Sequence, residues 1–275
     1  GTKKPMPQIA RELGVTFILE GSVQRDGNKV RVTGQLIRAA TDEHEWADKY
    51  DRDLTAAGIF AIQSELANAI AGELKATLSP EEKKLLEQRP TENLAAYDLY
   101  LKAREIFRRS GGGNTKGERI ALLEQAVALD PKFALAWAQL AIEHGDSYFL
   151  DDHTAGRLAR AKTAIDTAVR LASERPEVIH ALGLYYYFCF RDFARAAEQF
   201  ERAARLLPNN AETIYSLGAL ARRTGRWADA VPDIRRSVKL DPGNLFHASQ
   251  FALLLESGRR FLEEVRPEAV YGNND

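Results

Sequence analysis

A chain of 275 residues, 45% hydrophobic and 28% charged, can bury a substantial core and should hold one large or two medium domains. A net charge of −1 gives no broad basic field for nucleic acid and no acidic tail. No apolar run approaches the roughly 18 to 20 residues that a membrane-spanning helix needs, and a single cysteine, Cys189, excludes an intrachain disulfide framework and suits a reducing compartment.

In chain order, Pro7 to Leu13 reads as a short helix stopped by Gly14. From Thr16 to Gln24 the residues alternate, with Phe17, Leu19, Gly21 and Val23 on one side and Glu20, Ser22 and Gln24 among those opposite. Asp26-Gly27 is a hairpin signal, and Val30, Val32 and Leu36 alternate with Arg31, Thr33 and Gln35 on the returning strand. A second turn near Thr41-Asp42 leads to a third strand that carries His44, Trp46, Asp48 and Tyr50 on one face, where His44 and Trp46 pack across the sheet against Val30 and Val32. Ile59, Ile62, Leu66, Ile70, Leu74 and Leu78 then recur at helical spacing. Residues 1–79 therefore predict a small α+β domain, a three-stranded antiparallel sheet covered by helix.

Within that stretch, Ile9-Ala10-Arg11-Glu12-Leu13-Gly14-Val15, Leu19-Glu20-Gly21-Ser22-Val23, Val30-Arg31-Val32, Gln35-Leu36-Ile37 and the run from Glu45 to Leu54 resemble the second half of the TolB-like amino-terminal domain. In bacterial multidomain signalling proteins that domain stands directly ahead of tetratricopeptide repeats, with a class III nucleotidyl cyclase, a Ser/Thr kinase or a winged-helix domain at the amino terminus. Two departures matter. The family's opening strand and helix are missing, which leaves a sheet edge unpaired or covered by something else. No cyclase, kinase or DNA-binding motif is present, so the resemblance implies that any such output lies outside this chain. The start at Gly1 rather than methionine fits a fragment of a longer protein.

Ser79-Pro80 and the charges Glu81-Glu82-Lys83-Lys84 open a short helix or linker that ends near Arg89-Pro90, and residues 80–93 read as a solvated boundary. Beyond it the chain repeats. Pro208 and Pro242 lie 34 residues apart, and Phe193, Ala196, Phe200 and Ala203 precede Trp227, Ala230, Ile234 and Ser237 by the same interval. Small and apolar residues at that period, closed by proline, are the signature of the tetratricopeptide repeat, a helix-turn-helix unit that buries its apolar face only against neighbouring copies. Leu182-Gly183 precedes Leu217-Gly218 by 35, so one residue is inserted between the helices of the earlier unit. Upstream, Trp137, Leu140, Ala141, Ala161, Ile165 and Ala168 form a unit with a connection lengthened by residues 145–156, and Tyr97, Tyr100, Leu101, Leu123, Ala126 and Pro131 form the first, joined by Ser110-Gly111-Gly112-Gly113-Asn114. A fifth begins at Leu245 and degrades toward Asp275. The predicted fold is mainly α, an α-solenoid of about four full repeats and an incomplete fifth over residues 94–275. The glycines allow close helix approach, and Trp137, Tyr186, Phe193 and Trp227 fill the remaining volume.

Chemistry is hard to find. There is no phosphate-binding loop, nucleophile elbow or zinc helix. The glycines 111–113 join two helices rather than a strand and a helix, so they read as a connector. His144, Asp146, Asp151, Asp152 and His153 carry metal-ligand types at irregular spacing, which reads as loop polarity. Cys189 reads as an apolar filler. No catalytic residue, cofactor or metal is predicted.

Binding is then the function to localise. The first helix of each unit lines the concave face of such a solenoid, and the frame set by Leu182-Gly183 and Leu217-Gly218 nominates His180, Leu184, Tyr187, Tyr215, Arg222, Phe246 and Leu253 as groove residues. Tyr187, Tyr215 and Arg222 are the residue types that dominate interface energy. The lysine and asparagine clamp of chaperone-binding family members is not matched there. The reading is a non-catalytic scaffold that binds a protein, a peptide or a neighbouring domain of its own protein, on the cytoplasmic side, with no membrane insertion and no nucleic acid. Two alternatives stay open: a periplasmic assembly or trafficking factor, and an enzyme using Glu20, Asp48 or Asp51 between the small domain and the first repeat.

Overall fold

Residues 5–76, 78–110 and 114–265 are described in a computed structural model, in which the chain divides into two units, Gly1–Leu94 and Ala95–Asp275. The first unit opens with α1 (Met6–Leu13), which ends on the left-handed Gly14 at φ 66° as the sequence predicts. Strands β1 (Phe17–Asp26), β2 (Lys29–Arg38) and β3 (Glu43–Asp53) form an antiparallel meander in the order β1-β2-β3. The β1–β2 turn needs only two residues between Asp26 and Lys29, because Gly27 takes φ 55° without a Cβ penalty.

Val30, Val32, Trp46 and Tyr50 face α2 (Ala56–Glu73) and pack with Ile59, Ile62 and Leu66. At Gly34 a Cβ would lie 2.9 Å from Leu66, so the glycine lets the helix down onto the sheet. Along the edge strand β1, Leu19 and Val23 stay exposed.

Three local expectations change. Leu36 pairs with Trp46 but Ile37 with His44, so Glu45 is an extra residue and the bulge turns His44 to the face opposite Trp46. Helix α2 stops at Glu73, with Lys75 at φ 51°, which leaves Leu78 outside it. The stretch read as a linker begins as α3 (Pro80–Glu87), started by a capping box between Ser79 and Glu82, and Ser64 of α2 donates to the carbonyl of Leu86.

In the second unit α4 (Leu94–Ser110) comes first, α5 (Lys116–Leu129) packs on α6 (Ala134–Leu150), and α6 pairs with α7 (Ala155–Ala172). Helix α8 (Pro176–Tyr185) runs into a π-turn (Tyr186–Phe190) and is followed by α9 (Phe193–Leu206). Helices α10 (Ala211–Arg223) and α11 (Trp227–Leu240) form the next pair, and α12 (Leu245–Val265) comes last. Ala126, Ala161, Ala168, Ala196, Ala203 and Ala230 are fully buried, as short side chains between close helices must be. A Cβ on Gly183 would lie 2.6 Å from the Phe200 ring, and one on Gly218 would lie 2.7 Å from Ile234 and 3.1 Å from its backbone nitrogen. Leucine at either glycine is expected to cost about 1–3 kcal/mol by overpacking, read as a lowered urea midpoint at unchanged m-value; equal midpoints would refute it.

Both insertions sit elsewhere than the sequence implies. Helix α6 continues to Leu150, so the longer connection of that unit is mostly helix, with Gly145 packed on Phe188 and Cys189. The single extra residue of the third unit is absorbed within its first helix as the π-turn, because one added residue can be accommodated by widening a turn to i→i+5 bonding. Trp227, expected in the core, is 48% exposed at the start of α11. The glycines 111–113 and the last ten residues lie outside the described residues.

Candidate functional site

Helix α4 departs most from the repeat. Gly218 precedes Ser237 by 19 residues and Ala230 precedes it by seven; at the same distances before Ala126 stand Phe107 and Arg119. A ring and a guanidinium thus occupy the two positions where small residues bring paired helices together, and the Arg119 guanidinium lies over the Phe107 ring at 5.2 Å. Instead, α4 reaches across its own unit. Tyr100 and Tyr97 pack on Phe133 at the start of α6, Phe107 lies 5.1 Å from Phe246 of α12, Arg104 bonds Glu212 of α10 at 2.5 Å, and Arg108 bonds Asp241 ahead of α12 at 2.6 and 3.2 Å.

These contacts place the nominated groove residues. His180 is buried, with Nε2 2.8 Å from the Ser216 hydroxyl and its ring 5.5 Å from Phe200. Tyr215 stacks on His247 at 4.6 Å and meets Phe246 edge-on, so Tyr215, Phe246 and Phe107 join in one aromatic contact. Leu184 is half-buried beside Tyr187 and Phe200. Tyr187 is buried and accepts from Arg223 Nε at 3.2 Å. Arg222 is half-buried in the last turn of α10, and Leu253 is exposed. His180 and Tyr187 are therefore packing residues rather than spare ones, and the wider π-turn carries Tyr187 out of the register that the Leu-Gly frame assumes.

Charge follows the geometry. Burial pushes Glu212 up, but the Arg104 guanidinium together with His180 and His247 outweighs it and holds the carboxyl below the usual range. Asp241 is likewise held low: burial raises it, and the Arg108 hydrogen bond and charge, with His247 and Asn244, together more than offset that. Burial lowers His180 to about 4, with Glu212 opposing and Arg104 reinforcing. His247 moves down by burial as well, and its Nδ1 has no hydrogen-bond partner among the described residues.

Deeper in the same unit, Arg119 and Glu143 form a bidentate pair at 3.0 and 2.8 Å with both side chains under 5% exposed. The polar residues of α6 and the turn after it are tied to cations. Asp146 and Asp151 both meet Lys116 Nζ, Asp152 meets Arg157, and His144 Nδ1 lies 2.9 Å from the same Arg157. Among the described residues no three His, Cys, Asp or Glu side chains converge on a metal position. Burial pushes the Cys189 thiol up to about 12, as befits a packing residue. In the first unit, Glu20 accepts from Gln35 and Asp51 takes two bonds from Arg31, on the sheet face away from α2; Asp48, opposite Gly34, is on the other face. The three carboxylates do not meet. No helix among the described residues is long and apolar enough to cross a membrane.

No family model matches the chain. A protein of Rhizobium meliloti (strain 1021) described as "Putative adenylate cyclase 3" is 32% identical over 173 residues, which is 61% of this chain and 29% of that protein. A thermophilic TPR protein of Thermus thermophilus superposes with a TM-score of 0.45 at 18% identity, covering 73% of this chain and 99% of the other. The pilF protein of Pseudomonas aeruginosa gives 0.40 at 18% identity, over 66% and 77% of the two chains.

Proposed function

We propose that this chain is a non-catalytic interaction segment of a bacterial signalling protein, and that its repeats take a helix of a protein partner on the face that α4 now fills. The observation that carries the reading is the seating of α4 itself. A helix with Tyr100, Arg104, Phe107 and Arg108 along one side lies on a surface of matching chemistry, with Glu212 and Asp241 for the guanidiniums and Phe246 for the ring. Helix-in-groove binding uses this spacing of anchors. The relative's name supports a setting beside nucleotide cyclisation, and the TolB-like reading of the first unit supports the same setting; the output chemistry belongs to other parts of such proteins.

The two ion pairs that seat α4 are each about a third exposed, so each contributes up to about 1 kcal/mol, and both together up to roughly tenfold or somewhat more in the occupancy of the face. In the full chain, Arg104→Ala with Arg108→Ala is expected to bind a fluorescein-labelled peptide of sequence 94–110 about tenfold tighter than the parent does, by anisotropy. Adding Glu212→Gln and Asp241→Asn should abolish that gain. Equal binding by parent and double variant, or binding by neither, would overturn the proposal.

A further inference from the structure

A second surface draws on other residues and does not depend on the exchange of α4. It lies where the π-turn meets the ends of α6 and α10. Arg191, which closes the π-turn, is held at φ 53°. In the next unit, 34 residues on, the same corner is made by Gly225 at φ 78°. Glycine takes that conformation freely, whereas an arginine there is strained, and retained strain of this kind gathers at functional positions.

The Arg191 guanidinium lies 5.6 Å from the ring centre of Phe149 in the last turn of α6. Arg223 sits at the same distance from the same ring and donates to Tyr187. No carboxylate among the described residues pairs with either. The acids near these helix ends are already held: Asp151 by Lys116, Asp152 by Arg157 and Asp192 by Arg195. Leu150 and Phe190, next in sequence to Phe149 and Arg191, are 59% and 52% exposed. A helix carboxyl end accounts for one nearby cation. It does not account for an arginine held in the left-handed conformation.

We propose that Arg191 and Arg223 dock an acidic segment of a partner protein, with carboxylates on the guanidiniums and an apolar side chain against Phe190 and Leu150. A small dense anion fits less well, because such anions are held by the amino ends of helices, and this corner is made of carboxyl ends. Guanidiniums stacked on an aromatic ring are weakly hydrated and present fixed forks to carboxylates.

The test uses the full chain and a fluorescein-labelled twelve-residue peptide of alternating glutamate and leucine, followed by anisotropy at low salt. The parent is expected to bind it in a salt-dependent manner. Arg191→Gly, which suits the backbone of the corner, should weaken binding at least fivefold while leaving the melting temperature equal or higher, and Arg223→Gln should act similarly. Arg170→Gln with Arg205→Gln, which removes two charges from α7 and α9 against one in each of those variants, should leave binding unchanged. The proposal is overturned if the parent does not bind the peptide, if the control pair weakens it as much, if Arg191→Gly leaves affinity intact, or if inorganic phosphate competes as well as unlabelled peptide.

Discussion

Glu143→Ala is expected to destabilise the repeat unit by about 3–5 kcal/mol, because it strands the Arg119 guanidinium in an interior where no other carboxylate among the described residues pairs with it. For a unit of this size that is a fall of roughly 6 to 20 °C in melting temperature. The pair is otherwise well satisfied, since Arg119 also donates to the Thr115 hydroxyl at 2.7 Å and Glu143 accepts from Gln139 at 3.3 Å. Burial of the charges is what makes the loss large. Arg119→Met together with Glu143→Leu, which removes both charges and keeps volume, should recover most of the stability. Urea unfolding of the parent, Arg119→Met, Glu143→Leu and the double variant gives the coupling energy by a double-mutant cycle. A single-variant loss below about 1 kcal/mol would mean that water reaches the pair.

Acidification should weaken the same unit before Glu212 and Asp241 are protonated, even though burial raises the Glu143 carboxyl and so opposes the trend. His144 and His180 are buried, and burial first of all lowers each from an ordinary 6.5 to about 4; Arg157 adds to this for His144, and Arg104 does so for His180 against Glu212. A depressed folded-state value means that the unfolded chain binds the proton first. The stabilising contribution is therefore complete above about pH 6.5 and is lost as the pH falls toward 4, by up to about 3 kcal/mol for each histidine. His247 moves in the same direction, while Glu212 and Asp241, held low by arginines, act only below that window. Urea midpoints taken between pH 7 and 4.5 should fall steadily, and His180→Gln should flatten the slope by about one proton. A pH-independent midpoint across that range would contradict the buried neutral imidazoles.

How far the sequence could be read depends on what each residue answers to. Gly183, Gly218 and the buried alanines report local helix contacts, so their period located the paired helices, and the alternation from Phe17 to Tyr50 located the meander. Where an inserted residue goes is a matter of competing geometries. A loop, a longer helix and a π-turn all satisfy the same spacing, and the choice rests on what Gly145 and Phe188 pack against. The groove residues were harder still, because their environment is set by α4, far off in sequence. Phe107 and Arg119 in place of small residues were the visible sign that α4 could not pair closely with α5, but nothing local to them names Glu212 or Phe246 as the alternative. The Arg119–Glu143 pair was illegible for a related reason: both residues are of types that usually stay in solvent.

The seating of α4 on α10 and α12 has a consequence for cooperativity. In an open stack each repeat touches only its neighbours, so the terminal units fray first and independently. Here Arg108 and Phe107 of the first helix are fastened to Asp241 and Phe246 at the last. The two ends of the array become one thermodynamic element, and amide hydrogens in α4 and in the first turns of α12 should exchange with a common opening free energy.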